Sequence, residues 1–301
     1  MSVTIDPAPV VVADSLRKRA AAEIKAQRRE RLAVLRHKPA FLVGLFVTMF
    51  WLLCALFGTS IAPQNPDSLD IGHKLQGPTA AHWFGLDQLG RDVFSRVIVG
   101  TRVILFIALG ATILGSVLGT IVGLVAGYFK GMVDDVLMRI ADVFMAMPVI
   151  VFSLLVIAIT QSRSLLVVMF IIGIVYTPII ARTVRATVLG ESELDYVAAA
   201  RLRTEKTPHI LFVEILPNIL PPLLVEFTVR LGYAIFAVAT LSFLGAGVAI
   251  DSPDWGSQVA AHYKYLSGLN WSATVFPAAA IATLAIGVNL MVDGLVEVFE
   301  R

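Results

Sequence analysis

Uncharged, mostly apolar runs extend along the chain from Phe41 to Ala62, Val103 to Phe129, Val143 to Ser162, Ser164 to Ala181, Leu231 to Ile250 and Tyr265 to Val292. Each comes close to the roughly 20 residues an α-helix needs to cross a bilayer. Backbone groups in hydrocarbon must bond within their own segment, and the alternating segments of about ten residues that a barrel requires are missing. The pattern predicts an all-α integral membrane protein with about six transmembrane helices. It divides the chain into a basic segment (1–40), a first span (41–62), a polar segment (63–100) and a core of five further spans (101–301).

Composition sharpens this picture. Of 301 residues, 57% are hydrophobic and 15% charged, against about 25% charged in an average soluble domain. The net charge of +2, with no basic stretch interleaved with aromatics, argues against nucleic acid. Cys54 is the only cysteine, which excludes a disulfide framework and a cysteine metal site. The first run is too long, and too far into the chain, for a cleaved signal. Arg17, Lys18, Arg19, Lys25, Arg28, Arg29, Arg31, Arg36 and Lys38 precede it, which predicts cytoplasmic N- and C-termini. Segments 63–100 and 251–264 then fall outside, although Arg91, Arg96 and Arg102 run against the charge rule. The stretch Asp14 to Lys38 reads as a topology signal, with an interfacial helix as the alternative.

Two patterns stand out. Gly115, Gly119, Gly123 and Gly127 recur every four residues and make a stripe for close helix contact, either within the chain or with a second subunit. The stretch from Gly190 to Asn218 is too polar to span. Gly190 is expected to close the fourth span in a left-handed conformation, and Ser192 to N-cap a short helix with Asp195 three positions on. Glu191, Glu193 and Asp195 at its start, and Arg201 and Arg203 at its end, complement the helix dipole. Leu194, Val197, Ala198 and Leu202 are expected to share one face. Ala198, Ala199 and Ala200 make the helix thin enough for a partner's groove. Thr207 and Pro208 are expected to restart a helix as N-cap and first-turn residue.

The run from Tyr196 to Arg201, followed by Ile215-Leu216-Pro217-Asn218, resembles the coupling-loop signature of ABC importer permeases: Glu-Ala-Ala, then a glycine, then Leu-Pro. Trp83 to Asp92 with Ser95 and Arg96, Leu241 to Gly247 with Pro253-Asp254-Trp255-Gly256, and Phe276-Pro277 with Asn289 to Gly294 (Asp293 included) resemble further segments of the dipeptide, oligopeptide and nickel permease family, specifically its second membrane subunit. The resemblance implies a type I ABC importer permease fold in the bacterial inner membrane. It implies a cytoplasmic coupling helix at about 191–206 between the fourth and fifth spans, in which Glu193, Leu194, Asp195, Tyr196, Val197, Ala198, Ala199, Ala200, Arg201, Leu202 and Thr204 dock an ATPase, with Leu216 and Pro217 closing the loop. It implies as partners a homologous second permease subunit, two ATPase subunits and an extracytoplasmic substrate-binding protein, besides membrane lipid. ATP and Mg2+ would be bound by the ATPases. Peptides are the family-level expectation for the substrate, with glutathione, opine, sugar-derived and nickel substrates as alternatives.

Three positions depart from the signature. Ala198 replaces its glutamate, Thr204 its glycine, and Glu214 stands where the family has an apolar residue or histidine. A docking salt bridge would then come from Glu193 or Asp195, and Thr204 lacks the easy left-handed turn of glycine.

No phosphate loop, metalloprotease motif or nucleophile elbow occurs, and the five histidines are dispersed. No enzyme activity, bound cofactor or metal is expected of the chain itself. Asp134, Asp135, Arg139 and Asp142 beside the third span, and Glu226 and Arg230 before the fifth, read as anchors or helix pairs. Asp92 and Arg96, one turn apart, read as a local ion pair. No ionisable group lies at the centre of a run, which argues against the alternative of a self-contained channel or secondary carrier driven by protons.

Overall fold

The computed structural model describes residues 35, 38–161, 164–246, 252–266, 268 and 271–299. The interfacial-helix reading of Asp14 to Lys38 falls, except for residues 35 and 38, outside the described residues. Among the described residues, regular structure is helical apart from one isolated bridge between Leu86 and Asp92. The helices are α1 (Pro39–Ile61), α2 (Val93–Phe129), α3 (Gly131–Met145), α4 (Val149–Thr160), α5 (Leu165–Glu191), α6 (Asp195–Leu202), α7 (Thr207–Phe243), α8 (Trp255–His262) and α9 (Ser272–Phe299). Five of them, α1, α2, α5, α7 and α9, are long and apolar enough to cross a membrane, and there are six crossings if α3 and α4, bent by 83° against each other, count as one broken span.

That break corrects the third run. Val143 to Ser162 is not one helix: its first residues end α3, and Ala146-Met147-Pro148 interrupts the chain before α4 begins. Pro148 lacks an N–H and pushes the residue before it out of helical geometry. The 12 residues of α4 rise only roughly 18 Å, short of the ~30 Å hydrocarbon core, so α4 alone does not span it. Asp134 and Asp142 on α3 pair with Arg185 and Arg182 on α5.

The fifth span is also longer than its uncharged run. Rather than starting at Leu231, α7 begins at Thr207, passes a wide π turn over Ile210–Ile215 and continues through Pro221 and Pro222. Glu226 and Arg230 lie inside it without a loop because they satisfy each other one turn apart, at 2.6 Å.

The glycine stripe decides how α2 meets α5. A Cβ added at Gly119 would fall 2.7 Å from Ile180 Cβ, at Gly123 2.6 Å from the Ala181 carbonyl oxygen, and at Gly127 2.8 Å from Val188 Cβ. Gly115 lies as close, 2.9 Å from the Gly173 oxygen. Positions rise together on both helices, so the two run parallel and in contact within this chain. Lipid supplies no hydrophobic drive between helices, so such backbone approach is what holds them. α1 and α9 pack antiparallel by the same means, with Gly44 against Gly287 and Met291, and Gly294 against Phe41.

The alternation puts the start of α1, the end of α9 and all of α6 at one end of the bundle. At the other end, segment 63–92 and α8 are locked onto α2. Trp255, fully buried, donates its Nε1–H to Val97 O at 2.7 Å and meets Trp51 edge to face. Arg96, 2% exposed, reaches Asp67, the Pro66 oxygen and the Ser252 oxygen. This replaces the expected local pair, since Asp92 caps α2 by accepting from Ser95 N–H and also meets His82. Arg91 pairs with Asp87 at 2.7 Å.

Candidate functional site

α6 lies across the bundle end between α5 and α7. Its polarity follows from burial: Val197 and Ala200 are fully buried against the bundle and Tyr196 and Ala199 half-buried, while Glu193, Leu194, Asp195, Ala198, Arg201, Leu202 and Thr204 are exposed. Leu194, Ala198 and Leu202, four residues apart, form an outward row in which Leu202 is 85% exposed. Val197 does not belong to it: helical periodicity turns that residue inward, correcting the expected shared face.

The ends of α6 also differ from expectation. Gly190 stays helical inside α5, and positive φ is not needed there. Ser192 ends α5, its hydroxyl donating to Leu189 O at 3.0 Å, and Leu194 is the N-cap of α6. The next helix starts with Lys206 as N-cap and Thr207 as its first residue. Leu216, half-buried, and exposed Pro217 follow directly on the π turn inside α7. Asn218 Nδ2 donates to Glu214 O.

Thr204 adopts φ 57°, the left-handed conformation that glycine takes most easily. Thr204 N–H donates to Arg201 O and Glu205 N–H to Ala200 O, the paired bonds of a Schellman C-cap. The turn forms with threonine in place, at a steric cost that β-branching makes real.

Three contacts clamp the helix from outside the signature. Lys130 Nζ donates to Glu193 Oε1 at 2.9 Å, the Arg201 guanidinium lies 4.8 Å from the centre of the Tyr128 ring, and the Tyr196 hydroxyl donates to Glu191 Oε2 at 2.7 Å. The hydrogen bond from Lys130 holds the Glu193 carboxyl below its ordinary range. Burial, then the Glu191 acceptor, push the Tyr196 phenol up. Glu193 is thus engaged within the chain. Of the two acids that could stand in for the missing signature glutamate, Asp195 is the one with no partner among the described residues. Lys130 and Tyr128 carry no motif; Lys130 and Gly131 both take positive φ and turn the chain from α2 into α3.

Glu205, His209 and Glu214 bring one ligand atom each within 4.8 Å of one another. Arg203 donates to Glu205 at 2.7 Å and to Glu214 at 3.1 Å, so the charge of this cluster is met by an arginine. It is an ion network that ties the end of α6 to α7 and gives Glu214 its place.

Residues 115–301 match the family described as binding-protein-dependent transport system inner membrane component, and residues 27–78 match the N-terminal TM domain of oligopeptide transport permease C. The dipeptide transport system permease protein DppC of Alkalihalophilus pseudofirmus is 33% identical over 89% of this chain and 87% of its own length. The glutathione transport system permease protein GsiD of Pectobacterium atrosepticum is 35% identical over 87% of this chain and 86% of its own. Among solved structures, an inward-facing form of the MetNI methionine ABC transporter overlays with a TM-score of 0.54 at 21% identity, covering 69% of this chain and 98% of that one. The bent third crossing, the helix clamped between α5 and α7 and these matches agree: the chain belongs to the binding-protein-dependent inner membrane components, as a multi-pass permease subunit of an ABC importer.

Proposed function

We propose that α6 is the coupling helix through which a separate ATPase drives this permease, and that the bundle end carrying it faces the cytoplasm. The outward row Leu194, Ala198 and Leu202, flanked by Asp195 and Arg201, carries this reading: it is an exposed apolar ridge with charged edges on a helix whose other face is anchored in the bundle. Such a ridge fits an apolar groove on a partner. ATP and Mg2+ would sit on two ATPase subunits, and their closure would tilt α6 and the helices it is tied to. A second, homologous permease subunit would complete the path, and an extracytoplasmic binding protein would deliver substrate to the end formed by segment 63–92 and α8. The names of the dipeptide and glutathione relatives make short peptides the proposed substrate class.

The test is co-purification with the ATPase partner after Ala198→Asp and Leu202→Asp. Both side chains point away from the bundle, so the chain should fold and lose its ATPase and its ATP-driven uptake. Unchanged complex and uptake would defeat the docking assignment. A cysteine at Asp195 should react with a membrane-impermeant reagent only from the cytoplasmic side, and labelling from outside would reverse the topology.

A further inference from the structure

We propose that Arg230, held by Glu226 and faced by Tyr233, binds the carboxylate of a short peptide at mid-depth of the bundle; the site rests on the short-peptide import reading above. Its depth follows from two helices. Arg230 lies 13 residues, roughly 20 Å, from the end of α7 at Phe243. Glu226 lies 19 residues, roughly 28 Å, from the other end at Thr207. On α5, Tyr176 is close enough to Arg230 to feel its charge, and it stands 11 and 15 residues from the two ends of that helix. The pair is therefore well inside the ~30 Å hydrocarbon core. Charged groups at that depth face a bundle interior or a water-filled path rather than lipid, and they mark routes taken by polar cargo.

The guanidinium is arranged to take a second acid. Its Nε donates to Glu226 Oε1 at 2.6 Å, and neither Nη has a hydrogen-bond partner among the described residues. That open fork matches the two oxygens of a carboxylate. The centre of the Tyr233 ring lies 5.5 Å from the guanidinium carbon and steadies it from one side. The Arg230 side chain is 18% exposed and Tyr233 57%, so the pair borders a surface that this chain leaves uncovered, where the second permease subunit would complete the path. Glu226 is a positioning residue. It keeps the empty site neutral and competes with the incoming carboxylate, so the ligand leaves as readily as it enters.

The whole transporter, with its second permease subunit, ATPases and binding protein, would be reconstituted in proteoliposomes and ATP-driven uptake of trialanine measured. Binding of trialanine and of its C-terminal amide to transporter purified without the binding protein would be read by calorimetry. The wild type should bind the free acid about tenfold more tightly than the amide. The double variant Glu226→Gln with Arg230→Gln removes both charges together and leaves no unpaired charge in the bundle. It should assemble normally, lose the preference for the acid and take up trialanine about tenfold more slowly. Arg230→Lys, with Glu226 in place, should recover part of both. Equal binding of acid and amide by the wild type, or normal uptake by the double variant, would overturn the site while import itself stands, because the pair would then only hold α7 together. A double variant that comes apart from the second membrane subunit would overturn it by giving Arg230 to a carboxylate of that subunit. A wild-type transporter without ATP-driven trialanine uptake would defeat the short-peptide reading, and the site with it.

Discussion

Lys130 Nζ lies 2.9 Å from Glu193 Oε1 and joins the corner after α2 to the turn before α6. With Arg201 over the Tyr128 ring, this ties both ends of α6 to the last turn of α2, the helix that packs along α5 through the glycine stripe. Displacement of α6 is therefore passed to α2 and α5 together. Lys130→Ala should release the N-terminal end, raising hydrogen exchange over residues 191–197 while α2 and α5 stay protected. Both partners are solvent-exposed, so the effect should be small. Wild-type protein at roughly 1 M salt, where the Debye length is about 3 Å, should reproduce it. Equal exchange in the variant and the wild type would show that the ion pair does not hold the helix.

The reach of the sequence differs from element to element. The apolar runs of α1, α2 and α9 were legible because a bilayer demands them. The third and fifth spans were misjudged where absence of charge was taken as the rule. Pro148 breaks an uncharged run, whereas Glu226 and Arg230 neutralise each other and let α7 run through them. On α6 the position of the helix was legible from its alanines and charges, but which face turns inward was not. That depends on the fit of Val197 and Ala200 against Ile210–Ile215, a contact no local pattern encodes. The bonds of Trp255 to Val97 and of Arg96 to Ser252 span more than 150 residues and were equally out of reach.

The glycine stripe predicts a contrast between two similar substitutions. Gly123→Ala would set a methyl 2.6 Å from both the Ala181 oxygen and Val184 Cβ, where α2 and α5 would have to part. The expected loss is about 1–3 kcal/mol, the usual range for overpacking. At Gly190 an added Cβ meets nothing within 4 Å and the backbone is helical. Gly190→Ala should be neutral or stabilise by up to about 1 kcal/mol. Thermal unfolding in detergent of the two variants separates a packing role from a mere loss of glycine.

Thr204 holds a left-handed turn that a β-branched residue resists. Thr204→Gly keeps the bonds to Arg201 and Ala200 and relieves the strain, so it should raise stability by about 1–2 kcal/mol. Thr204→Pro removes the N–H that donates to Arg201 O and cannot take positive φ, so it should loosen the end of α6. Comparison of ATP-driven uptake between wild type and Thr204→Gly would then show whether the strained turn weakens coupling. A rise in melting temperature with unchanged uptake would make the threonine a stability defect without mechanistic weight.

His262 makes the far end of the bundle sensitive to acid. Its Nδ1 is bonded to Gln258 O at 2.7 Å and its Nε2 accepts from Gln88 N–H at 3.5 Å, so both nitrogens are used by the neutral ring and a second proton would break the link from α8 to segment 63–92. Burial is the main reason its pKa lies below the ordinary 6.5; the Gln258 carbonyl and Asp87 oppose the shift, while Arg91 and Arg96 add to it. A histidine with a lowered folded pKa binds fewer protons folded than unfolded just below that value. Its stabilising contribution is therefore complete above about pH 6.5 and declines as pH falls toward the lowered value. Wild-type melting temperature should fall over that interval more steeply than that of His262→Gln, which cannot take up the proton. Parallel pH profiles for the two proteins would show that this link does not titrate.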